Sequence, residues 1–166
     1  KWPARGGPVV ADDRVYFAAG MWPSEGIYLY ALDPTDGKVL WVNDDSGGIH
    51  MPQPHSGAEA DSGVSAQGYL VAAGGRLLMP TGRAVPACFN RADGKLLYFH
   101  LQPNQKSGGS ATMAVGGTFF NVGIAYALAD GSKMFSVGPG PAAAGPSGVV
   151  SASGADISLS RLVSKM

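Results

Sequence analysis

Apolar residues of this chain occur in short runs separated by small polar residues. In the first quarter such runs cover residues 8–11, 15–19, 27–32 and 38–42, and they are rich in Val, Leu, Tyr and Phe. Runs of this length, with many β-branched and aromatic residues, are typical of strands. Asp12-Asp13 and Asp36-Gly37 separate neighbouring runs, and such pairs between apolar segments favour tight hairpin turns. This part of the chain therefore predicts four short antiparallel strands.

The same order of runs and turns recurs further along the chain. Arg14 falls on Arg76 with a shift of 62, and Asp36-Gly37-Lys38 falls on Asp93-Gly94-Lys95 with a shift of 57. The two shifts differ by five residues. This difference lies in the loop between the first and second halves of the repeated unit, where insertions are tolerated. A third, shorter copy turns at Asp130-Gly131. The repeat predicts hairpin turns at Gly37, Gly94 and Gly131.

One aromatic position recurs with the repeat. Trp41, Tyr98 and Phe135 each follow the Asp-Gly turn by four or five residues. Because this spacing follows the repeat, we expect these rings to pack between adjacent units, and a ligand-binding role is the less favoured alternative. An aromatic side chain removes on the order of 150–250 Å² from water when buried.

Repeated units of four antiparallel strands are typical of a β-propeller, whose units must stack because none can bury both faces alone. We predict an all-β fold, a partial β-propeller of three to four blades. The predicted segments are a blade at 5–46, a linker at 47–64, a blade at 65–103, a blade at 108–137, a Gly/Pro-rich segment at 138–148, and a partial blade or tail at 149–166.

Composition supports a turn-rich β protein and excludes several classes. Gly and Pro supply 25 and 12 of 166 residues, and only 14% of residues are charged. The 12 basic and 12 acidic residues balance, which argues against a nucleic-acid partner, since that needs a basic surface. No apolar run approaches the ~18 residues of a membrane-spanning helix. A single cysteine excludes an internal disulfide. The start at Lys1, without a signal peptide, suggests a fragment of a larger protein.

The linker contains the densest cluster of candidate chemistry. His50 and His55 are candidate metal ligands, with Glu59 or Asp61 completing a set, although their spacing fits no recognised metal motif. Ser56 beside His55 is a weaker candidate nucleophile. The acidic residues are also candidate pairs for glycoside hydrolysis, which depends on their separation in space. The favoured interpretation remains a polar loop across one face. The carboxylates in question are Asp44, Asp45, Glu59 and Asp61.

Three other segments contain candidates. Trp22 lies in an insertion at 21–26 and is a candidate for stacking on a sugar or quinone ring. Arg83 lies in the corresponding loop, 80–86, and is a candidate for binding an anion. Cys88 falls at the place of Ala31 in a predicted buried strand, where a small apolar filler is expected. The segment 138–148 is expected to be a flexible connection.

The first copy resembles the pyrroloquinoline quinone (PQQ) repeat, through the runs 9–16 and 29–41. The resemblance weakens in the second and third copies and covers residues 5–137. It implies a PQQ-like propeller, a class that includes quinoprotein dehydrogenases and non-enzymatic propellers such as outer-membrane assembly lipoproteins of the BamB type. It also implies a periplasmic or extracellular location.

The resemblance also implies features that this chain lacks. Quinoprotein alcohol dehydrogenases have an adjacent cysteine pair, a metal held by carboxylates and amides, and an Asp base. This chain has only Cys88, and no matching metal-and-base set is found. We therefore expect a non-catalytic binding or scaffolding module, with part of a PQQ-dependent oxidoreductase as the alternative and a carbohydrate-active propeller as a third hypothesis. Such propellers have seven or eight blades, so the expected partners are missing blades or another copy of the chain.

Overall fold

The fold was derived from a computed structural model, which describes residues 3–54, 57–82, 84–101, 109–138, 142–145, 147–153 and 155–161. Within these residues the regular structure is β, apart from one short 3-10 helix at Pro23–Glu25. The strands are β1 (Ala4–Ala11), β2 (Arg14–Ala19), β3 (Tyr28–Leu32), β4 (Val39–Asn43), β5 (Ile49–Pro52), β6 (Glu59–Ser62), β7 (Val71–Ala73), β8 (Arg76–Met79), β9 (Ala84–Asn90), β10 (Leu96–Leu101), β11 (Thr112–Val115), β12 (Thr118–Asn121), β13 (Ile124–Ala127), β14 (Lys133–Ser136), β15 (Ala142–Gly145), β16 (Gly148–Ser153) and β17 (Asp156–Ser160).

These strands form a series of antiparallel sheets in chain order. The first sheet is β1-β2-β3-β4, the second β7-β8-β9-β10, and the third β11-β12-β13-β14. A fourth sheet has three described strands, β15-β16-β17, and β5 and β6 form a separate hairpin. The predicted all-β class with four-stranded repeating units is therefore confirmed.

The hairpin turns follow the repeat closely. Gly37, Gly94 and Gly131 have φ of 73°, 75° and 72°, a left-handed backbone that suits glycine because it has no Cβ. In each turn the amide two residues beyond the aspartate donates to its carboxylate, as Lys38 does to Asp36 at 2.9 Å. These local bonds stabilise the turn independently of the rest of the sheet. Each Asp-Gly pair thus lies in the turn between the third and fourth strands of its sheet.

Three local expectations differ from the structure. The linker at 47–64 is not simply a polar loop, because β5 pairs with β6 in a regular antiparallel register. The segment 138–148 is not only a connection, since its residues 142–145 form β15 and the fourth sheet begins there rather than at Val149. The loop 80–86 ends earlier than expected, because β9 begins at Ala84. Pro86 fits within β9 at a break in the register with β10, a position that needs no ladder N–H.

Side chains alternate between the two faces of each sheet, and the faces of successive sheets bury one another. The core between the first and second sheets includes Tyr16, Leu29, Leu77 and Phe89. The core between the second and third is centred on Phe119 with Leu78 and Tyr126, and a smaller core joins the third and fourth sheets. The first strands of successive sheets, β1, β7, β11 and β15, lie next to one another. The sheets are thus stacked as the blades of a propeller, with these strands innermost.

The antiparallel order gives every sheet two different ends. The β1–β2 and β3–β4 turns and their equivalents lie at one, which we call the turn end. The β2–β3 loop, the β8–β9 loop, the β12–β13 turn and the links between sheets lie at the other, which we call the connection end. No helix among the described residues is long and apolar enough to cross a membrane.

Candidate functional site

A repeated joint links the first sheet to the second near the turn end. The Trp41 ring lies directly over Gly94, so closely that a Cβ there would lie 2.7 Å from the indole Cζ3. The indole N–H donates to the carbonyl oxygen of Arg91 at 3.2 Å, and Asn43 Nδ2 donates to the carbonyl of Gly94 at 3.0 Å. The ring also packs against Tyr16, 5.8 Å between centroids. A side chain of one sheet is thus held by the hairpin turn of the next.

The second sheet is joined to the third in the same way. Tyr98 lies over Gly131, where a Cβ would come within 2.7 Å of Cε2. Its hydroxyl donates to the carbonyl oxygen of Leu128 at 3.1 Å. Leu128 and Arg91 both lie three residues before the turn glycine, so the two rings use the same acceptor position of the repeat. We call the turn glycine and this carbonyl the ring seat.

Phe135 lies in different surroundings. It packs edge-on against Phe120 of its own sheet, 6.1 Å between centroids, and is 40% exposed. The turn that would form its seat follows β17 in the repeat, beyond the described residues of the fourth sheet. Phenylalanine also has no group that could donate to a seat carbonyl.

The first sheet has a ring seat that is not covered by the described residues. No described atom lies within 4 Å of the position that a Cβ of Gly37 would take. The corresponding carbonyl belongs to Pro34. The adjoining face of this sheet, which we call the open face, is apolar. It consists of Val10, Val15, Phe17, Tyr30, Leu32, Val39 and Val42.

The open face differs from its counterpart in the second sheet. Phe17 and Tyr30 stack on each other at 5.0 Å, yet Val42 beside them remains 42% exposed. The repeat places Phe17 on Met79, which is fully buried against the first sheet. The open face therefore has the residue types of a sheet-to-sheet interface without a covering sheet among the described residues.

The candidate binding residues Trp22 and His50 both belong to the connection end. Trp22 lies in the β2–β3 loop and is 59% exposed. The carbonyl oxygen of its neighbour Met21 accepts a hydrogen bond from Ser65 Oγ at 2.9 Å, which ties the loop to the link between sheets. Arg5 supports the same link, because its Nη2 donates to Gln67 Oε1 at 3.0 Å. Trp22 is thus presented to solvent from a supported loop.

His50 lies on β5 between two carboxylates of β6. Its Nδ1 is 2.8 Å from Asp61 Oδ1, and its Nε2 is 3.6 Å from Glu59 Oε2. The imidazole is 63% exposed, so these contacts contribute little stability. No group of three or more His, Cys, Asp or Glu side chains in the described part of the chain is arranged to hold a metal ion. His55, Ser56 and Arg83 lie outside the described residues.

An open cleft of about 560 Å³ lies between the end of the first sheet and the turn of the second. Asp44, Asp45 and Asp93 line it together with Lys95 and apolar side chains. Lys95 Nζ lies 3.6 Å from Asp93 Oδ2, and Asp45 Oδ1 accepts a hydrogen bond from Ser46 Oγ at 3.3 Å. Asp44 and Asp45 are therefore brought to a different place from Glu59 and Asp61, which flank His50.

Cys88 is a buried side chain of β9 in the core between the second and third sheets. Burial raises the pKa of its thiol, and hydrogen bonding with Tyr98 opposes this to a smaller extent. Burial likewise raises the pKa of Tyr98, with the nearby Cys88 adding to the rise. Thiolate reactivity requires access and a lowered pKa, so Cys88 has the environment of a packing residue.

Sequence reasoning missed a set of close backbone approaches at the ends of the innermost strands. A Cβ at Gly68 would collide with the carbonyl oxygen of Ser110, and one at Gly6 with the carbonyl oxygen of Gly68. Gly6, Gly68 and Ser110 occupy the same position of the repeat. The repeat itself was the available signal, because two of its three copies have glycine there.

Repeated four-stranded antiparallel sheets, stacked face to face with their first strands innermost, define a β-propeller of the PQQ-like class. A family model described as outer membrane protein assembly factor BamB matches residues 2–122. The chain belongs to this family. No curated protein sequence matches it.

Solved structures show the same fold at low identity. BamB from Moraxella catarrhalis is 15% identical with a TM-score of 0.55, covering 88% of this chain and 39% of that protein. A europium-containing methanol dehydrogenase is 20% identical with a TM-score of 0.52, covering 80% of this chain and 25% of that one. Quinohemoprotein alcohol dehydrogenase from Comamonas testosteroni is 16% identical with a TM-score of 0.50, covering 80% and 20%. This chain therefore spans well under half of each.

Proposed function

We propose that this chain is a non-catalytic module of a larger PQQ-like propeller, acting in binding or scaffolding. The observation that carries the proposal is the serial ring-and-seat joint, which leaves an open face and the uncovered Gly37 seat on the first sheet. The chain spans 39% of the length of BamB from Moraxella catarrhalis, to which its structure is similar. We expect an apolar sheet face of this kind to pack against a further blade.

The group that covers the Gly37 seat is expected to be an aromatic side chain with a donor N–H or O–H. Trp41 and Tyr98 supply such groups at the two covered seats, and the Pro34 carbonyl is the matching acceptor. The partners are therefore further propeller blades, or another copy of the chain when those blades are missing. The connection end, with Trp22 and His50 exposed, is the surface we assign to a protein or small-molecule ligand.

Sedimentation velocity of the purified 166-residue chain tests the partner proposal. The chain should self-associate, and Val42→Lys should shift it towards the monomer by placing a charge in the open face. Leu97→Lys is the matched control, since Leu97 is 44% exposed on the outer strand of the second sheet. A monomeric chain at tens of micromolar, or equal effects of the two lysines, would contradict the proposal.

A PQQ-dependent oxidoreductase is the alternative that the family resemblance supports. What speaks for the scaffold over this alternative is that the chain has a single cysteine, which is buried between sheets, and so supplies no adjacent cysteine pair. Titration with PQQ in the presence of calcium distinguishes the two functions. The scaffold proposal expects no quinone absorbance on the protein and no change in Tm, whereas saturable binding would favour the oxidoreductase.

We also infer a location outside the cytoplasm, on the basis of the family to which the chain belongs. Fractionation of cells that express the full-length protein, with antibody detection in periplasmic and cytoplasmic extracts, measures this directly. Recovery in the cytoplasmic fraction alone would contradict it.

A further inference from the structure

A buried amide and a buried hydroxyl lie side by side in the third sheet, on Asn121 and Thr112. Thr112 is the first residue of β11 and Asn121 the last of β12, and they are directly opposite in the antiparallel register. Opposed residues project from the same face of a sheet, with Cβ atoms about 4.5–5.5 Å apart. Both lie at the connection end, where Gly109 pairs with Gly82 of the second sheet.

Their polar atoms have no partner among the residues that the structure describes. Asn121 is fully buried, and neither its Oδ1 and Nδ2 nor the buried Thr112 Oγ1 makes a hydrogen bond there. Buried polar groups are almost always hydrogen-bonded, to protein or to ordered water. An amide and a hydroxyl that face each other without a bond are therefore two halves of an incomplete network.

The second sheet shows what these positions hold when the interface is apolar. A shift of 42 places Leu70 on Thr112 and Met79 on Asn121. Leu70 and Met79 are both buried in the core between the first and second sheets. The third sheet thus has a hydroxyl and a carboxamide where its predecessor has two apolar side chains, so packing alone does not require polar groups here.

We propose that Thr112 and Asn121 hold one internal water molecule at the connection end of the third sheet. The three unpaired atoms supply an acceptor, a donor and a hydroxyl that does either, and a buried water typically makes about three hydrogen bonds. The water bridges Thr112 Oγ1 and the carboxamide of Asn121. Gly109 closes the site, because the position of a Cβ there lies 3.3 Å from Asn121 Oδ1.

Water suits the site better than an ion or an organic ligand. The described side chains nearest to the position of a Cβ at Gly109 are Asn121 and Val122, and neither carries a charge that could balance an ion. Asn121 is completely buried, so a larger molecule could reach its carboxamide only if the surrounding residues moved. This inference is independent of the proposed scaffolding function.

Nuclear magnetic resonance of the nitrogen-15-labelled protein tests the site directly. The side-chain NH₂ of Asn121 should show a rotating-frame Overhauser cross-peak at the water frequency, identified by its loss in Asn121→Leu. A crystal structure beyond about 1.5 Å resolution should show one density peak within hydrogen-bond distance of both side chains. Absence of the cross-peak, a direct Asn121–Thr112 hydrogen bond, or density for a larger molecule would overturn the proposal.

Melting temperatures supply a second readout. Asn121→Leu leaves the Thr112 hydroxyl buried without its polar neighbour, and Thr112→Val does the same to the carboxamide. Each variant should therefore lower Tm by several degrees. The double variant should lose less than the sum of the two. Met79→Leu, at the equivalent apolar position, is the matched control and should show additive behaviour with Thr112→Val. Strict additivity in the first pair would count against a shared water. Should either single variant fail to fold, the cross-peak of the unmodified protein decides.

Discussion

At the residue scale, the stacking of the sheets depends on a ring in one sheet and a glycine in the next. The positions of Trp41 and Tyr98 could be predicted from their period, because a side chain that recurs with the repeat occupies the same place in each unit. Their acceptors could not be predicted, since the carbonyl groups of Arg91 and Leu128 belong to the backbone and any residue supplies one. Phe135 follows the same period, yet its surroundings differ because its seat lies beyond the described strands.

Tyr98→Phe isolates the hydrogen bond from the ring. The variant keeps the contact with Gly131 and loses the hydroxyl, which donates to Leu128 and also interacts with the Cys88 thiol, so it should lower the free energy of unfolding by about 0.5–1.5 kcal/mol. Urea unfolding followed by fluorescence measures the change. Tyr30→Phe on the open face is the control and should be close to neutral. Equal losses in both variants would show that the hydroxyl of Tyr98 adds nothing specific.

Cys88 and Tyr98 predict an alkaline loss of stability. Burial raises the pKa of both groups in the folded protein, so the unfolded chain releases its protons first as the pH rises. Stability is therefore full below the ordinary thiol pKa of about 8.5 and falls above it. Cys88→Ala, which copies Ala31 of the first repeat, should reduce the fall between pH 8 and 10.5 in thermal melts. An unchanged pH dependence would rule out the thiol as its source.

At the element scale, strands with a clear sequence signal of the repeat could be predicted, whereas β6 and β15 could not. The Asp-Gly turns define β3–β4 and its copies because the local bonds of Asp36 and Asp93 form without distant contacts. β6 contains Glu, Ala, Asp and Ser, and β15 three alanines and a glycine, none of which favours strands. These segments are extended because they pair with β5 and β16. The only sequence signal for β15 was a repeat shift of 30, which places Val149 on Phe119.

Gly68→Ala tests the close approach of the innermost strands. The new Cβ would collide with the carbonyl of Ser110, and overpacking of this kind costs about 1–3 kcal/mol. Gly75→Ala is the matched control, because open space surrounds its Cβ position and its φ is not left-handed. Differential scanning calorimetry should show a lowered Tm for the first variant only. Equal Tm values for both variants would show that the backbone can move apart at Gly68 without a loss of stability.

At the scale of the whole molecule, stability should vary along the row of sheets. The second sheet contributes buried residues to the cores on both sides, through Leu77 on one face and Leu78 on the other. The fourth sheet contributes Val149 to a small core, and β17 is exposed along its length. Stacked repeats gain stability from neighbours, so the fourth sheet has the least.

Hydrogen exchange measures this gradient. Backbone amides of β8 and β9 should exchange most slowly, and those of β16 and β17 fastest among the strands, because local opening is easiest where few apolar contacts are lost. Peptide-resolved deuterium uptake at neutral pH gives the order. The open face allows a control, since Val42→Lys should leave β8 and β9 more protected than β16 and β17. Uniform protection across all four sheets would contradict a serial arrangement.

The ring-and-seat joint has a consequence for how such chains lengthen. The first two units each contain both halves of the joint, the seat in the turn between the third and fourth strands and the ring on the fourth strand. A tandem duplication of one unit therefore inserts a new member whose ring meets the old seat downstream and whose seat meets the old ring upstream. A duplication of whole units therefore needs no new contact surface between sheets. A duplication whose boundary falls between the turn and the outer strand would instead separate the seat from the ring.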